Sequence, residues 1–372
     1  MLARMLRKIL LSGLVFFLLL IVVLAGLYWW YSRPLPILTV VTWPGPYGRA
    51  QAAALMRPFA AVRAIDVHIA DYDGGLIELT GWVRKHQYDG DVIDMELPDA
   101  VSACRQGLLE HIDATALPAG QDGVPASRDF VAGAVGPCWV GSAVYSQAIA
   151  FSPGAGWGPA PTQASDFFDL VHYPGLRAVS RASPKFILEL ALLADGVAPA
   201  SVYALLATPE GQARAFSKLD TLKGRIAWLN SPSDAIDALQ TRQAVFALVN
   251  NGDYFTAGRK GFHPGVIWDR QFYELDVFGV PAGDPKKESA MDFIRFATGS
   301  APLAGVADWY PVGPARRSAW LLVGSNPELH IAMTPWLPTT HFDTAFAVDD
   351  AWWQVHAAPI TAQWQEWLNA AH

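Results

Sequence analysis

Ile37-Leu38-Thr39-Val40-Val41-Thr42-Trp43-Pro44-Gly45-Pro46-Tyr47-Gly48 is the stretch that decides the fold. Its first six residues are apolar or β-branched and read as a buried strand. The Pro/Gly run behind them is a turn, which leaves Trp43 and Tyr47 at the strand's carboxyl end. Ligands of open α/β sheets sit just beyond the carboxyl ends of strands, so the two rings are candidate walls for a small organic solute. An ordinary strand-to-helix turn, with the aromatics capping the core, is the alternative.

Upstream, Ile9 to Tyr31 carries no charge and is dominated by Leu, Val, Ile and Phe. A helix of that length would cross a hydrocarbon layer of about 30 Å. Arg4, Arg7 and Lys8 precede it, which directs the N-terminus to the cytoplasm and the remainder outside. Residues 1–33 therefore read as an N-terminal transmembrane anchor, with Leu27-Tyr28-Trp29-Trp30-Tyr31 as its interfacial belt. The competing reading is a signal peptide cut after Val23-Leu24-Ala25, which would leave a soluble periplasmic protein. No cysteine follows the apolar run, so a lipidated N-terminus is excluded. Ser32-Arg33-Pro34-Leu35-Pro36 is a stiff linker.

The 372 residues are 52% hydrophobic and only 16% charged, enough for one large or two ordinary domains with a substantial core. The 15 tryptophans leave aromatics to spare for pockets. The formal charge is −7, and without Arg4, Arg7 and Lys8 it is −10, so a basic face for nucleic acid is absent. The two cysteines, Cys104 and Cys138, are free to form a disulfide outside the cytoplasm; two unpaired buried thiols are the other reading. With no His pair nearby they make no metal site. Gly154-Ala155-Gly156-Trp157-Gly158 lacks the spacing of a dinucleotide fingerprint, and no nucleophile elbow is present. No cofactor is expected, nor a catalytic set.

Downstream of the first strand the pattern alternates. A helix around Ala50–Ala60 is followed by a strand near Asp66–Ile69 and a helix from Asp73-Gly74-Gly75 to near His86. A strand over Asp91–Met95 and a helix over Asp99–Gly107 complete the series. This rhythm predicts an α/β fold with a mostly parallel sheet. A second series begins after Cys138. It has a strand over Ser142–Phe151, a short helix at Ser165–Leu170 and helices at Phe186–Ala194, Pro199–Ala207 and Glu210–Lys218. A strand over Ala244–Val249 ends in Asn250-Asn251-Gly252-Asp253. Phe272–Pro281 begins a return segment, with a helix over Lys286–Ala297 behind it. Trp352, Trp353, Trp364 and Trp367 lie at helical spacing and read as core packing.

Several of these stretches, in this order, carry a resemblance. They are the opening strand with Trp43 and Tyr47; Tyr88-Asp89-Gly90-Asp91-Val92-Ile93; Gly107-Leu108-Leu109-Glu110-His111-Ile112-Asp113; and Leu275-Asp276-Val277-Phe278-Gly279-Val280-Pro281-Ala282-Gly283. Ala290–Phe296 and Trp309-Tyr310-Pro311-Val312-Gly313-Pro314 complete the set. Together they resemble the extracellular (periplasmic) solute-binding proteins of ABC importers, in the branch of the spermidine/putrescine-binding proteins. The resemblance implies a two-lobed periplasmic-binding-protein fold of type II-like form, with a ligand cleft at the hinge. Lobe 1 would comprise residues 34–146 and 271–318 and lobe 2 residues 147–270, with residues 319–372 packing on lobe 2. It also implies a small-molecule solute and an ABC permease complex in the inner membrane as partners. Lobes of this kind close on their ligand by hinge motion.

Polyamine binders of that branch clamp a cation between aromatic walls and carboxylates. Carried over by position, Trp43, Tyr47 and Tyr310 are the aromatics and Asp276 the return-strand carboxylate. Glu274 stands two residues before Asp276 and so shares its face if the segment is a strand; one exposed face of an edge strand is the plain alternative. The chain also departs from the branch. Ala182-Ser183-Pro184-Lys185 replaces a pair of acids at a second-lobe helix start, and Asn250 replaces an aromatic before Asn251-Gly252. Ser183 would cap that helix, with Pro184 in its first turn. Lys185 facing Glu274 and Asp276 would suit a zwitterionic or mixed-polarity solute; a lysine turned to solvent is the alternative. Ser183, Lys185 and Asn250 complete the expected second wall. A membrane-anchored sensor or structural protein that kept the fold without transport is the rival function.

Overall fold

The computed structural model describes residues 17–24, 28, 34–121, 123–154 and 156–370. Most of the proposed anchor lies outside them: residues 17–24 are helical, and among the described residues no helix is long and apolar enough to cross a membrane.

One sheet runs through the whole molecule. Its strands are β1 (Ile37–Thr42), β2 (Asp66–Asp71), β3 (Val92–Glu96), β4 (Val140–Phe151), β5 (Arg177–Ser180), β6 (Ile226–Leu229), β7 (Phe246–Asn250), β8 (Gly265–Gly279), β9 (Gly313–Pro314) and β10 (Phe346–Ala347). The order is β2-β1-β3-β8-β4-β7-β5-β6, with β9 on β4 and β10 on β8. Each flank is parallel: β1 pairs with β2 and β3, and β5 with β6 and β7. Parallel strands need a covering layer on both faces. The helices α1 (Pro46–Gln51), α2 (Ile77–Lys85), α3 (Leu97–Arg105), α4 (Ile187–Ala194), α5 (Pro209–Asp220), α6 (Asn251–Arg259), α7 (Lys287–Ala297), α8 (Ser300–Trp309) and α9 (Asp350–Ala370) supply it. The chain is thus α/β and two-lobed, as the resemblance implied.

The antiparallel pair β4–β8 joins the flanks. Val140 lies opposite Phe278 at one end and Phe151 opposite Gly265 at the other, with irregular register between Gln147 and Ile149. Val144 and Leu275 belong to a core built on Leu38, Phe59, Phe278 and Phe293. Ile149, Ile267 and Phe272 belong to another, built on Leu188, Phe246 and Trp364. Each long strand therefore leaves one core and enters the other. The return strand is longer than its sequence signal, because Gly265–Gln271 mixes polar and apolar residues that hide the pattern.

Other boundaries moved for identifiable reasons. The helix read at Ala50 starts at Pro46, which fits the first helical turn since it needs no N–H donor there. It continues through a π-helical turn, Ala52–Met56, into Arg57–Arg63. Ser183 does not cap α4: Phe186 takes φ 71°, which breaks the run, and the Ser183 hydroxyl accepts from the Lys185 N–H (3.1 Å) in a turn before the helix. Cys104, at the end of α3, is joined to Cys138, before β4, in a disulfide with Cα atoms 5.8 Å apart. Trp353, Ile360, Trp364 and Leu368 form the buried face of α9, and the Trp364 indole donates to Arg181 O (3.0 Å).

Candidate functional site

Thr42 ends β1 and Pro46 opens α1, so the chain must reverse within three residues. Gly45 makes this possible at φ 85°, a conformation that side chains resist. The turn sets Trp43 edge-on against Tyr72 (centroids 4.9 Å) and Tyr47 against Tyr310 (5.8 Å), which caps the end of α8. Asp276 stands on β8 directly opposite Glu96 on β3. Trp43, Tyr47, Tyr310, Asp276 and Glu96, together with Tyr145 and the β7–α6 junction, line a cavity of about 260 Å³.

The opposite wall is held by two asparagines with separate tasks. Asn250 caps α6, its side chain accepting from the Gly252 N–H (2.8 Å). The buried Asn251 side chain accepts from Ser146 N–H on β4 (2.9 Å) and donates to Pro311 O beside Tyr310. Gly252 is required here, since a Cβ would collide with the Tyr310 hydroxyl.

Charge is concentrated beneath the cavity. Asp94 is fully buried and accepts from Ser142 (2.6 Å) and Gln51 (2.7 Å); burial nevertheless pushes its carboxyl up to about 6. Burial also holds the Asp276 carboxyl well above the usual carboxylate range, with Asp94, Glu96 and Glu274 adding to the effect. The Trp43 indole N–H is buried beside Asp276 and eases its charge, but off the geometry of a formed hydrogen bond. Glu96 is raised by burial and Asp99. Tyr145 and Tyr47 are held protonated by burial and by the surrounding carboxylates. A carboxylate costs several kcal/mol to bury without a counter-charge. Here the walls are aromatic faces, so a small organic cation would satisfy both carboxylate and ring.

Of the eight residues expected at the site, Trp43, Tyr47, Asn250, Asp276 and Tyr310 line this cavity. Glu274 shares the face of Asp276 but is occupied: Lys185 Nζ bonds to it and to Asp350 Oδ1 (2.8 Å). Burial would lower the Lys185 ammonium, but Glu274 and Asp350 outweigh it and raise the lysine. Lys185 is thus held by two acids rather than turned out to solvent, and it is not paired with Asp276. Ser183 and Lys185 line a neighbouring enclosed space of about 110 Å³ beside Gln147 and Phe186. The Glu274/Asp276 face is not an exposed edge, because β8 is central and both side chains are at most 9% exposed. Glu96, Tyr145, Asn251, Asp94 and Asp350 escaped the sequence reading. Asp94 and Glu96 did leave a signal, two carboxylates inside a run that otherwise reads as a buried strand; Asp350 left none. Among the described residues no His/Cys/Asp/Glu group could hold a metal ion.

Residues 66–330 match the family described as bacterial extracellular solute-binding protein. The chain is 29% identical over 330 residues to a gamma-aminobutyric acid-binding protein of Pseudomonas aeruginosa, covering 89% of this chain and 90% of the relative. It is 27% identical to a solved GABA receptor (TM-score 0.70; 89% of this chain, 97% of the other). A likeness of fold extends to an A. tumefaciens B6 binding protein solved in complex with glucopine (22% identity, TM-score 0.67; 89% and 99%). These relatives are binding proteins, and this chain, as a member of a solute-binding family, is not an enzyme. The protein belongs to the bacterial extracellular solute-binding protein family.

Proposed function

We propose that this protein is the extracytoplasmic receptor of an ABC importer for a small polar solute carrying a protonated amine. The observation that carries the reading is the juxtaposition of Asp276 and Glu96 with Trp43, Tyr47 and Tyr310 around one cavity. The amine sits against Asp276 and Glu96, and the rings pack its methylenes. Asn250 shapes the second wall, while Ser183, Lys185 and Glu274 lie beside the cavity rather than in it. The similarity to a gamma-aminobutyric acid-binding protein supports an ω-amino acid as the first candidate. The number of acids in the cleft favours, as a second reading, a polyamine of the spermidine/putrescine type.

Lobe 1 (residues 34–146 and 271–318) and lobe 2 (147–270) close over the solute by bending where β4 and β8 pass between the two cores. Of the tail expected on lobe 2, Trp353, Ile360 and Trp364 pack there, whereas Ala319, Trp320 and Phe342 pack on the core of lobe 1. The apolar run Ile9–Tyr31 tethers the receptor to the cytoplasmic membrane; cleavage would instead release it into the periplasm. Calorimetry on the purified full chain with 4-aminobutyrate, putrescine, spermidine and uncharged analogues tests the reading. At least one of these amines should bind and raise the unfolding midpoint, by about 2.7 kcal/mol of added stability at 100 times Kd. No response to any amine would leave the rival, a receptor fold retained without transport.

A further inference from the structure

β8 offers two carboxylates to the same side of the sheet, Glu274 and Asp276, about 7 Å apart along the strand. Both are buried, at 9% and 7% exposure, so each is held as a carboxylate only with a cation nearby. Their surroundings are alike. Asp276 faces a second carboxylate, Glu96, and the aromatic walls of the cavity. Glu274 lies near a second carboxylate, Asp350, and shares with it a lysine whose ammonium lies over the ring of Phe186.

They differ in their occupant. Among the described residues, no lysine or arginine forms an ion pair with Asp276. At Glu274 the position is filled from within the chain: Lys185 Nζ bonds to Glu274 and Asp350 and lies 5.1 Å from the centre of the Phe186 ring. The lysine is delivered by the segment between β5 and α4, on the far side of the hinge from β3. Its backbone is set by the Ser183 hydroxyl. A primary ammonium between two carboxylates and against a ring is the arrangement the cavity offers a bound amine.

We propose that Lys185 is a built-in occupant of a second amine position, and that it restricts the cleft to solutes bearing one amine. The inference rests on reading the Asp276 cavity as an amine site and specifies which amines it admits. A short diamine that placed one ammonium at Asp276 would bring its other end toward Glu274. There it meets the Lys185 charge in place of a free carboxylate. A solute whose far end is neutral or anionic meets no such repulsion. Lys185 is then a specificity-determining residue, and what it excludes is set by charge rather than by size.

The experiment is a competition titration on the full chain with 4-aminobutyrate, 4-amino-1-butanol and 1,4-diaminobutane, matched in length. The unmodified protein should bind at least one of the one-amine probes at least tenfold more tightly than the diamine. Lys185→Met combined with Asp350→Asn leaves Glu274 as the single free acid and should shift the preference toward the diamine by at least tenfold. Adding Glu274→Gln should abolish that gain, and Lys185→Arg should keep the diamine excluded. A diamine that binds the unmodified protein as well as the one-amine probes overturns the inference and leaves the amine site standing. So does a folded double variant with no gain. If none of the three probes binds, the amine-site reading itself fails. If the double variant does not fold, the ranking on the unmodified protein and on Lys185→Arg still decides.

Discussion

Asp276 is where sequence chemistry and folding energetics pull against each other. It is a charge placed on a central strand, surrounded by Asp94, Glu96 and Glu274, and burial and those neighbours hold its carboxyl well above the usual range. Such a residue destabilises the empty protein and is useful only when a cation arrives. Asp276→Asn should accordingly have effects of opposite sign. Amine affinity should fall about 10- to 100-fold, the worth of a charge-assisted hydrogen bond of roughly 1.5–3 kcal/mol. The unfolding midpoint at neutral pH should hold or rise. Titration and melting of the same variant check both, and undiminished affinity would remove Asp276 from the site.

At the level of elements, the outer walls depend on contacts far from the cavity. The disulfide fixes the end of α3 to the residues entering β4, across a sequence separation of 34. Both belong to the lobe that carries Trp43 and Glu96. In the chain-entropy picture a loop of that length contributes roughly 3–4 kcal/mol. Replacing both cysteines with serine should lower the denaturation midpoint in urea by a corresponding amount, with the slope little changed if the unfolded state stays as open. A midpoint unaffected by the double replacement would mean the crosslink contributes nothing. The helix α9 is tied down differently. The Trp353 indole donates to the buried Glu189 (2.6 Å), to which the Tyr203 hydroxyl also donates (3.2 Å).

Over the whole molecule, buried acids dominate the response to pH. Burial pushes Glu189 up to about 7 and Asp94 up to about 6, above their ordinary 4.5 and 3.8. Folding therefore takes up protons. The stability from these groups is complete below about pH 4 and is lost as pH rises through 6 and 7. Glu189 alone accounts for on the order of 3 kcal/mol at 1.36 kcal/mol per unit. His341, stacked on Trp268 and lowered by burial, acts the other way, losing stability as pH falls. The acids are more numerous, so the melting midpoint should fall between about pH 4 and pH 7. Glu189→Gln should flatten that slope, and an unaltered slope would count against its buried charge.

What the sequence alone determined follows from local chemistry. β-branched runs, Pro/Gly turns and helical periodicity depend on neighbours along the chain, and they sufficed for the alternating elements, the two series and the aromatic turn at Trp43. Glu274 and Asp276 were placed on one face because a strand's period is two. Their partners were not legible. Glu96 opposes Asp276 only through the β3–β8 register, Asn251 reaches Pro311 from 60 residues away, and Asp350 reaches Lys185 across 165 residues. Which of two adjacent acids would remain open to a ligand and which would be filled by the chain's own lysine was decided by tertiary structure, because electrostatic pairing depends on distance in space, and only the packed hinge brings those groups together.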